Sequence, residues 1–326
     1  MVPARSAWRC STDRVAEAVN KPLVVTAGDP LGIGPEVAVR GLVSTRASAV
    51  LVGRTDVLFA EATRWGLKVR PFDGFPGAPG VAIYDPGAAA EPVEVASIRW
   101  GVAAVRAGQG RALVTGPIHK ARLAARGFSH AGHTEFLGEL CGVAHPVMAF
   151  VGAKVGVVLA TVHVPLRAVA QALSVEKLVH VIRTTDAAWR RHVGTPRVVV
   201  CGLNPHAGDG GVLGREEIDV IGPAVVVTRA EGIDVVGPVS AEAAWNQPRA
   251  NDVIVAMYHD QGLVPLKALA FGRCVNWTLG LPIVRTSVDH GTGDDLVGTD
   301  LADPGSMVAA LRWARRLTAS GELGAG

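Results

Sequence analysis

The sequence predicts an α/β protein built on a mostly parallel sheet with helices on both faces. Short apolar runs, rich in Val and Ala, alternate with longer stretches of helical periodicity along the 326 residues. Glycine (39 residues) and proline (20) are abundant, and aromatic residues make up only 5% of the chain. This composition suits short buried strands joined to helices by tight turns, an alternation typical of parallel sheets. The length allows two modest domains or one large one.

The predicted elements follow one another from about residue 22. A strand at 22–27 leads through the loop 28–36 to a helix from about Val37, where Pro35 and Glu36 suit a helix start. Further strands are predicted at 49–52, 81–84, 111–115, 147–151, 155–161, 197–203 and 252–257, with 147–151 and 155–161 forming a hairpin. Further helices are predicted at 55–65, 96–107, 120–125, 134–140, 175–192 and 215–230.

Charge and cysteine content exclude several classes of protein. The net charge is only +3 and the Lys and Arg residues are scattered, so no basic stripe for nucleic acid is present, although an anionic small substrate is compatible. The four cysteines lie far apart, which favours reduced thiols in a cytoplasmic protein. No stretch has the apolar length of a membrane span. Residues 1–20 have no apolar centre and are expected to form a flexible extension rather than a secretory signal.

Three histidines each follow the end of an apolar β-type run: His163, His206 and His259. Because the carboxyl ends of parallel strands share one edge, these imidazoles could hold a borderline-soft cation such as zinc and leave one position open for substrate. Each histidine alone is more simply a polar residue at a strand end. The prediction of a metal-assisted enzyme rests on their shared placement.

Other polar segments each allow two interpretations. The loop 28–36 contains Gly-x-Gly without a third glycine, so it is either a weak dinucleotide motif or a tight strand-to-helix turn. His133 and Thr134 precede a helical pattern, where they could bind an anion, or Thr134 could simply cap the helix. The glycine-rich segment 204–211 and the segment 258–262 are predicted functional loops. In the latter, Asp260 is a candidate ligand, base or orienting residue, or an ordinary cap.

Cations and a polar loop mark the last third of the chain. Lys267, Arg273 and Arg285 lie among apolar residues, with Asn276 between them, and such cations need an anionic partner, either an internal carboxylate or a substrate. The segment 289–298 consists mostly of small and polar residues and has no evident role in the hydrophobic core. A nucleotide could lie against its backbone.

Taken together, seven segments resemble the 4-hydroxythreonine-4-phosphate dehydrogenase family of vitamin B6 biosynthesis. They are residues 26–36, 114–120 (Val-Thr-Gly-Pro-Ile-His-Lys), 132–136, 161–166, 203–214, 256–267 and 271–298. The long motifs Ala-Met-Tyr-His-Asp-Gln-Gly and Arg-Thr-Ser-Val-Asp-His-Gly-Thr are highly specific. The likeness runs from about residue 22 to the C-terminus.

The resemblance implies a fold like that of isocitrate and isopropylmalate dehydrogenases: two α/β/α domains with a cleft between them, working as a homodimer whose subunits complete each other's sites. The expected division is 1–20 as an extension, 21–128 with 286–326 as the cofactor side, and 129–285 as the metal, substrate and dimerisation domain. By family pattern the metal ligands would be His163, His206 and His259, and the substrate contacts His133, Thr134, Lys267, Asn276 and Arg285. The cofactor, NAD or NADP, would lie against His290, Gly291, Thr292, Asp294 and Asp295.

The implied reaction is oxidation of 4-phosphohydroxy-L-threonine to a 3-keto acid, which then loses carbon dioxide to give 3-amino-2-oxopropyl phosphate. A divalent metal would assist proton loss from the alcohol and stabilise the developing enolate, with zinc, cobalt or nickel favoured over magnesium by three imidazoles. Asp260 and Lys267 are the candidates for proton handling or for orienting neighbouring groups. No partner other than a phosphorylated small molecule and a second subunit is expected, and neither nucleic acid nor membrane.

Three departures from the family pattern bear on the substrate: Glu242-Ala243 in place of an acidic-Thr pair, Trp277 in place of a smaller residue, and Gly293-Asp294-Asp295 beside the cofactor site. The alternatives are therefore a paralogue that oxidises 4-phospho-threonate or a dihydrodiol dicarboxylate, a non-catalytic metal or anion-binding module, and an acyltransferase. The three histidines argue against the acyltransferase, because that chemistry needs no metal-bound alcohol.

Overall fold

The computed structural model describes residues 21–75, 79–87, 91–130, 132–152 and 155–319. The predicted N-terminal extension lies outside these ranges. Among the described residues, no helix combines the length and apolar character needed to cross a membrane.

The centre of the molecule is one twelve-stranded sheet. Its strands in chain order are β1 (Leu23–Thr26), β2 (Ala49–Val52), β3 (Val69–Pro71), β4 (Val81–Tyr84), β5 (Leu113–Thr115), β6 (Val147–Gly152), β7 (Val155–Leu159), β8 (Arg197–Cys201), β9 (Val235–Val239), β10 (Asp252–Ala256), β11 (Val275–Leu279) and β12 (Arg285–Ser287). Their order across the sheet is β3-β4-β2-β1-β5-β12-β11-β6-β7-β10-β8-β9. The predicted mixed α/β class is confirmed.

The helices connect and cover these strands. In chain order they are α1 (Gly34–Thr45), α2 (Thr55–Arg64), α3 (Val93–Arg106), α4 (Lys120–Ala124), α5 (His133–Cys141), α6 (Val169–Ala172), α7 (Val175–His192), α8 (Gly222–Ala230), α9 (Ala241–Trp245), α10 (His259–Ala270) and α11 (Gly305–Ala319). A single π-helical turn, Glu217–Ile221, runs directly into α8. Helix α11 packs against both α1 and β12, and so ties the last segment of the chain to the first.

Two parallel sets of strands are joined by an antiparallel centre. From β3 to β12 all neighbouring strands are parallel, and so are those from β7 to β9. Between these sets, β11 and β6 pair antiparallel with their neighbours, and β6 with β7 is the predicted hairpin. Strands β1, β2, β7 and β10 are fully buried, which explains why they are continuous apolar runs rather than alternating ones.

The predicted strands and helices are present, with ends shifted by up to three residues, but several elements were missed. The prediction of a loop at 258–262 is wrong, because helix α10 begins at His259. This helix contains Pro265 and Gly262, which weaken the helical pattern. Gly262 is required by packing, because a Cβ there would lie 2.7 Å from Val157. Strands β11 and β12 were missed because polar residues interrupt their apolar character.

Candidate active site

The strands that precede the three histidines are neighbours in the sheet. Strands β7, β10 and β8 lie side by side and parallel, so their carboxyl ends share one edge, as predicted. The hydroxyl of Thr161 donates to the carbonyl oxygen of Met257 at 2.7 Å and fastens the segment after β7 to the segment after β10. As a result the rings of His163 and His259 lie with their centroids 5.9 Å apart.

The two imidazoles of this pair are in different electrostatic settings. Burial, together with the charges of Lys120 and His259, lowers the pKa of His163, which keeps the ring neutral and able to bind a metal. His259 Nδ1 lies 2.8 Å from Asp260 Oδ1. A carboxylate at that distance fixes Nδ1 as the donor and leaves Nε2 with its lone pair.

His206 does not join this pair within one chain. It follows β8 in a turn whose residues from 206 to 210 all have left-handed backbone angles, with φ between 44° and 80°. For the three members other than glycine, this conformation costs roughly 1–2 kcal/mol each. The His206 side chain is exposed. The described part of one chain contains no cluster of three or more His, Cys, Asp or Glu side chains that could hold a metal ion. Within the described residues, His206 therefore stands apart from the His163–His259 pair.

A cavity of about 360 Å³ opens beside the two paired histidines. It lies between the loops after β5 and β12 on one side and those after β7 and β10 on the other. Its polar lining residues are Lys120, His133, Thr134, Glu135, His163, His259, Asn276, Arg285, Ser287, Asp289 and His290. Four of the five predicted substrate contacts therefore meet here, and Lys267 is the exception.

Arg285 supplies a buried positive charge to the cavity. It is 1% exposed, and its guanidinium donates to the hydroxyls of Thr278 (2.9 Å) and Thr115 (2.6 Å). No carboxylate among the described residues forms a salt bridge with it, and burial lowers its pKa to about 9. The group is still charged at neutral pH. A buried cation without a counter-ion is a strong indication of an anionic ligand.

Several other buried polar atoms of the cavity have no hydrogen-bond partner in the described structure: His133 Nε2, Asn276 Oδ1, Arg285 Nε and His290 Nε2. Leaving such a group unsatisfied costs about 1–3 kcal/mol. Burial, with the charges of Arg285 and Lys120, lowers the pKa of His133 well below its usual value, so this ring is neutral. The cavity is therefore prepared for a polar, negatively charged molecule.

The structure also decides how the segment around Thr134 is used. Gly132 is the residue before α5, and no side chain caps this helix, so the predicted capping role of Thr134 is wrong. Thr134 lies in the first turn and lines the cavity, with the free N–H groups of the helix start close by. The anion-binding interpretation fits this placement.

A second cavity of about 330 Å³ adjoins the first. The two share Asp289, His290 and Gly291, and the second is otherwise mostly apolar, with Ile33 and Leu296 in its wall. It also contains Lys267, whose ammonium lies 3.1 Å from the carboxylate of Asp289. Burial raises the pKa of Asp289, and Lys267 partly offsets this. Asp289 was not among the predicted site residues, although its position directly before His290 is a signal that could have found it.

The glycine-rich loop 28–36 is a tight turn that supports the predicted cofactor segment. The amide of Ile33 donates to the carbonyl oxygen of Thr292 at 2.8 Å. A Cβ on Gly32 would lie 2.9 Å from the Cβ of Thr292, so only glycine allows this approach. Arg122 bridges Asp29 in this loop and Asp294, and its hydrogen bond lowers the pKa of Asp294 to about 2.

Two of the three departures noted in the sequence lie away from both cavities, whereas the third, Gly293-Asp294-Asp295, reaches the second cavity through Gly293. Trp277 is 2% exposed and packs against Trp189 with ring centroids 4.8 Å apart, on the opposite side of β11 from Asn276. Glu242 and Ala243 belong to α9, whose first turn is capped by Ser240. Trp277, Glu242 and Ala243 are not among the residues that line either cavity.

The chain is similar over most of its length to proteins of one family. The family profile described as pyridoxal phosphate biosynthetic protein PdxA matches residues 62–314. The chain is 43% identical to a 4-hydroxythreonine-4-phosphate dehydrogenase of Chromobacterium violaceum, covering 90% of this chain and 96% of that protein. A relative of the same name from Thioalkalivibrio sulfidiphilus is 42% identical over 91% and 97%.

Solved structures give the same result. The crystal structure of 4-hydroxythreonine-4-phosphate dehydrogenase from Klebsiella pneumoniae matches with a TM-score of 0.82 at 34% identity, covering 92% of this chain and 98% of that one. A terephthalate 1,2-cis-dihydrodiol dehydrogenase from Burkholderia xenovorans matches with a TM-score of 0.66 at 30% identity, covering 90% and 97%. The chain belongs to the 4-hydroxythreonine-4-phosphate dehydrogenase (PdxA) family.

Proposed function

We propose that this protein oxidises 4-phosphohydroxy-L-threonine with NAD or NADP, giving a 3-keto acid that decarboxylates to 3-amino-2-oxopropyl phosphate for pyridoxal phosphate biosynthesis. The observation that carries the proposal is the buried Arg285, charged and without a carboxylate partner in the described ranges, in one cavity with the His163–His259 pair. Family membership fixes the class as a dehydrogenase of this type.

Each polar group of the first cavity has a proposed task. Arg285 and Lys120 neutralise the phosphate or carboxylate of the substrate, and the N–H groups at the start of α5 add donors beside Thr134. Neutral His133 donates or accepts a hydrogen bond without adding charge. The unpartnered Oδ1 of Asn276 accepts from a substrate hydroxyl or amino group. These contacts would place the alcohol carbon beside His290, at the wall shared with the second cavity.

The donor set fits a borderline-soft divalent cation, with zinc first and cobalt or nickel next. His163 and His259 would hold it, with Asp260 keeping His259 in the correct tautomer. The third ligand would be His206 from a second copy of the chain in a homodimer. When bound, such a cation supplies Lewis acidity for the alcohol and for charge that develops during decarboxylation.

The second cavity is the proposed nicotinamide cofactor site. His290 and Gly291 line it, and Thr292, Asp294 and Asp295 belong to the same segment as its lining residues Gly293 and Leu296. Lys267 lines the second cavity, and its ammonium is held by Asp289, a residue common to both cavities. From this position it can donate a proton to the product or bind the substrate's anionic group.

The test is a nicotinamide reduction assay with the purified protein and added Zn²⁺ or Co²⁺. We expect reduction of NAD or NADP that depends on 4-phosphohydroxy-L-threonine, and a much lower kcat/KM with 4-phospho-threonate. Because a dihydrodiol dehydrogenase shares the fold, terephthalate cis-dihydrodiol is assayed in parallel. Activity restricted to either of the other two alcohols would replace the proposed substrate. No reduction with any of the three would favour a non-catalytic module.

A further inference from the structure

The turn that carries His206 packs against one buried carboxylate. Glu217 is 5% exposed and begins the π-helical turn that precedes α8. Its Oε1 accepts hydrogen bonds from the backbone amides of Leu203 (2.7 Å) and Asn204 (2.8 Å), directly before the turn. Its Oε2 accepts from the side-chain amide of Asn204 at 3.0 Å. One carboxylate thereby fixes the point where the chain leaves β8.

The same carboxylate lies against the residues of the turn that have left-handed backbone conformations. A Cβ on Gly208 would be 2.6 Å from Glu217 Oε2, and a Cβ on Gly202 would be 3.0 Å from Oε1. The chain therefore wraps closely around Glu217 on both sides of His206. Single π-helical turns inside helices occur frequently at functional sites. Strained turns persist only where their surroundings hold them. Glu217 is one of the groups that hold this turn, together with Glu216, whose Oε2 accepts from the side-chain amide of Asn204 at 2.7 Å.

We propose that Glu217 is a positioning residue. By holding the turn, it keeps the His206 side chain in one outward orientation, in which it can contribute to a cation site shared with a second copy of the chain. This inference rests on the metal-binding role proposed for His206. Glu217 does not reach the cation or the substrate. It acts by restricting the imidazole to one orientation, in the way that groups around metal ligands commonly raise metal affinity.

The experiment measures Co²⁺ binding to the full-length, metal-free protein from the visible absorption of the cobalt, with Zn²⁺ competition. All variants are compared at a concentration where their oligomeric state matches that of the wild type. We expect Glu217→Ala to weaken Co²⁺ binding by about 10–100-fold and to change the cobalt spectrum. Glu217→Gln keeps an oxygen that can accept from the amides of Leu203 and Asn204, so it should recover much of the affinity and the wild-type spectrum.

The matched control is Asp252→Asn. Asp252 is an equally buried carboxylate (4% exposed) at the start of β10, paired with Arg197 at 2.6 Å and remote from His206 in the fold. This variant should lower Tm and leave Co²⁺ binding and its spectrum unchanged. If Glu217→Ala only lowers Tm while His206→Ala weakens Co²⁺ binding, the positioning role is overturned and the proposed function stands. If His206→Ala binds Co²⁺ as the wild type does, the metal role of His206 fails and the inference fails with it.

Discussion

At the scale of single residues, the candidate site contains a buried charge, Arg285, that has no carboxylate partner among the described residues. Arg285 is held by two threonine hydroxyls, and hydroxyls orient a guanidinium without neutralising it. Lys267, a cation of the same segment, behaves differently because Asp289 is its partner. The sequence predicts that both cations need an anion, but only the fold separates the internally paired one from the one that faces a cavity.

Replacement of Arg285 by glutamine tests the role of this charge. Hydrogen bonds to charged groups contribute about 1.5–3 kcal/mol, so we expect kcat/KM for the phosphorylated substrate to fall by about 10–100-fold or more. KM for the nicotinamide cofactor should change little. Steady-state kinetics measure both constants. Arg273→Gln is the control, because Arg273 is exposed and lines neither cavity. Equal losses in the two variants would contradict a specific role for Arg285.

His133 gives a pH-dependent prediction for stability. Because burial and the charges of Arg285 and Lys120 place its folded-state pKa well below 6.5, the unfolded chain binds this proton more readily than the folded one. Its contribution to stability is therefore present above pH 6.5 and is lost as the pH falls through 6.5 towards the folded-state pKa. His133→Gln has no such proton. The free energy of unfolding of the wild type, measured relative to this variant by denaturant titration, should decline below pH 6.5 and stay level above it. A level difference at all pH values would show that His133 is not desolvated.

At the scale of elements, the turn after β8 combines two requirements that only glycine meets. Gly208 has a φ of +80° and also lies against Glu217, whereas Gly210 has a φ of +64° with open space around its Cα. The two positions therefore separate backbone conformation from steric contact.

We expect Gly208→Ala to disrupt the turn and to weaken metal binding, because both the left-handed conformation and the contact with Glu217 are lost. Gly210→Ala should cost only about 1 kcal/mol, the usual penalty for a left-handed alanine, and should retain metal binding. Thermal unfolding and Co²⁺ titration of the two variants provide the comparison. Similar behaviour of the pair would mean that the close packing around Glu217 does not hold the turn.

The elements predicted correctly are those whose own residues show a clear apolar run or a helical periodicity. Strands β2, β7 and β10 are unbroken apolar runs, and α7 has a clear helical periodicity from Val175 to His192. In the missed elements, the residue types depend on contacts with other parts of the fold, so the apolar or helical pattern is interrupted. Asn276 and Arg285 are polar because they face a ligand cavity, which hides strands β11 and β12. In α10, Gly262 is kept by contact with Val157 rather than by helix propensity.

At the scale of the whole molecule, the described part of one chain brings together most of the predicted site residues and leaves His206 apart from them. His163 and His259 meet, and His206 is presented to solvent on a constrained turn. The residues that follow His206 include Val212, which is 80% exposed, and Leu213, which is 47% exposed. Exposed apolar side chains close to His206 in the chain are consistent with burial of this surface against a second copy.

Complementation between variants tests this arrangement. His163→Ala and His206→Ala homodimers should each be inactive. If each site takes His163 from one subunit and His206 from the other, a mixed dimer has one site with both defects and one intact site. Random exchange of equal amounts would then restore about a quarter of wild-type activity, as expected for a two-fold symmetric assembly. Sedimentation confirms the dimers. No recovery after subunit exchange would place both histidines in the same subunit's site or exclude the shared site.

The sequence by itself determined the α/β class, the positions of most buried strands and a set of candidate polar residues, because apolar periodicity and residue type are local properties. The tertiary structure alone decided which of those residues meet. It paired His163 with His259 and left His206 apart, and it placed Glu217 against the turn after β8. Within the described ranges it gave Lys267 a carboxylate partner and Arg285 none. Contacts between segments a hundred residues apart depend on strand order and close packing, and no local pattern in a chain encodes either of these.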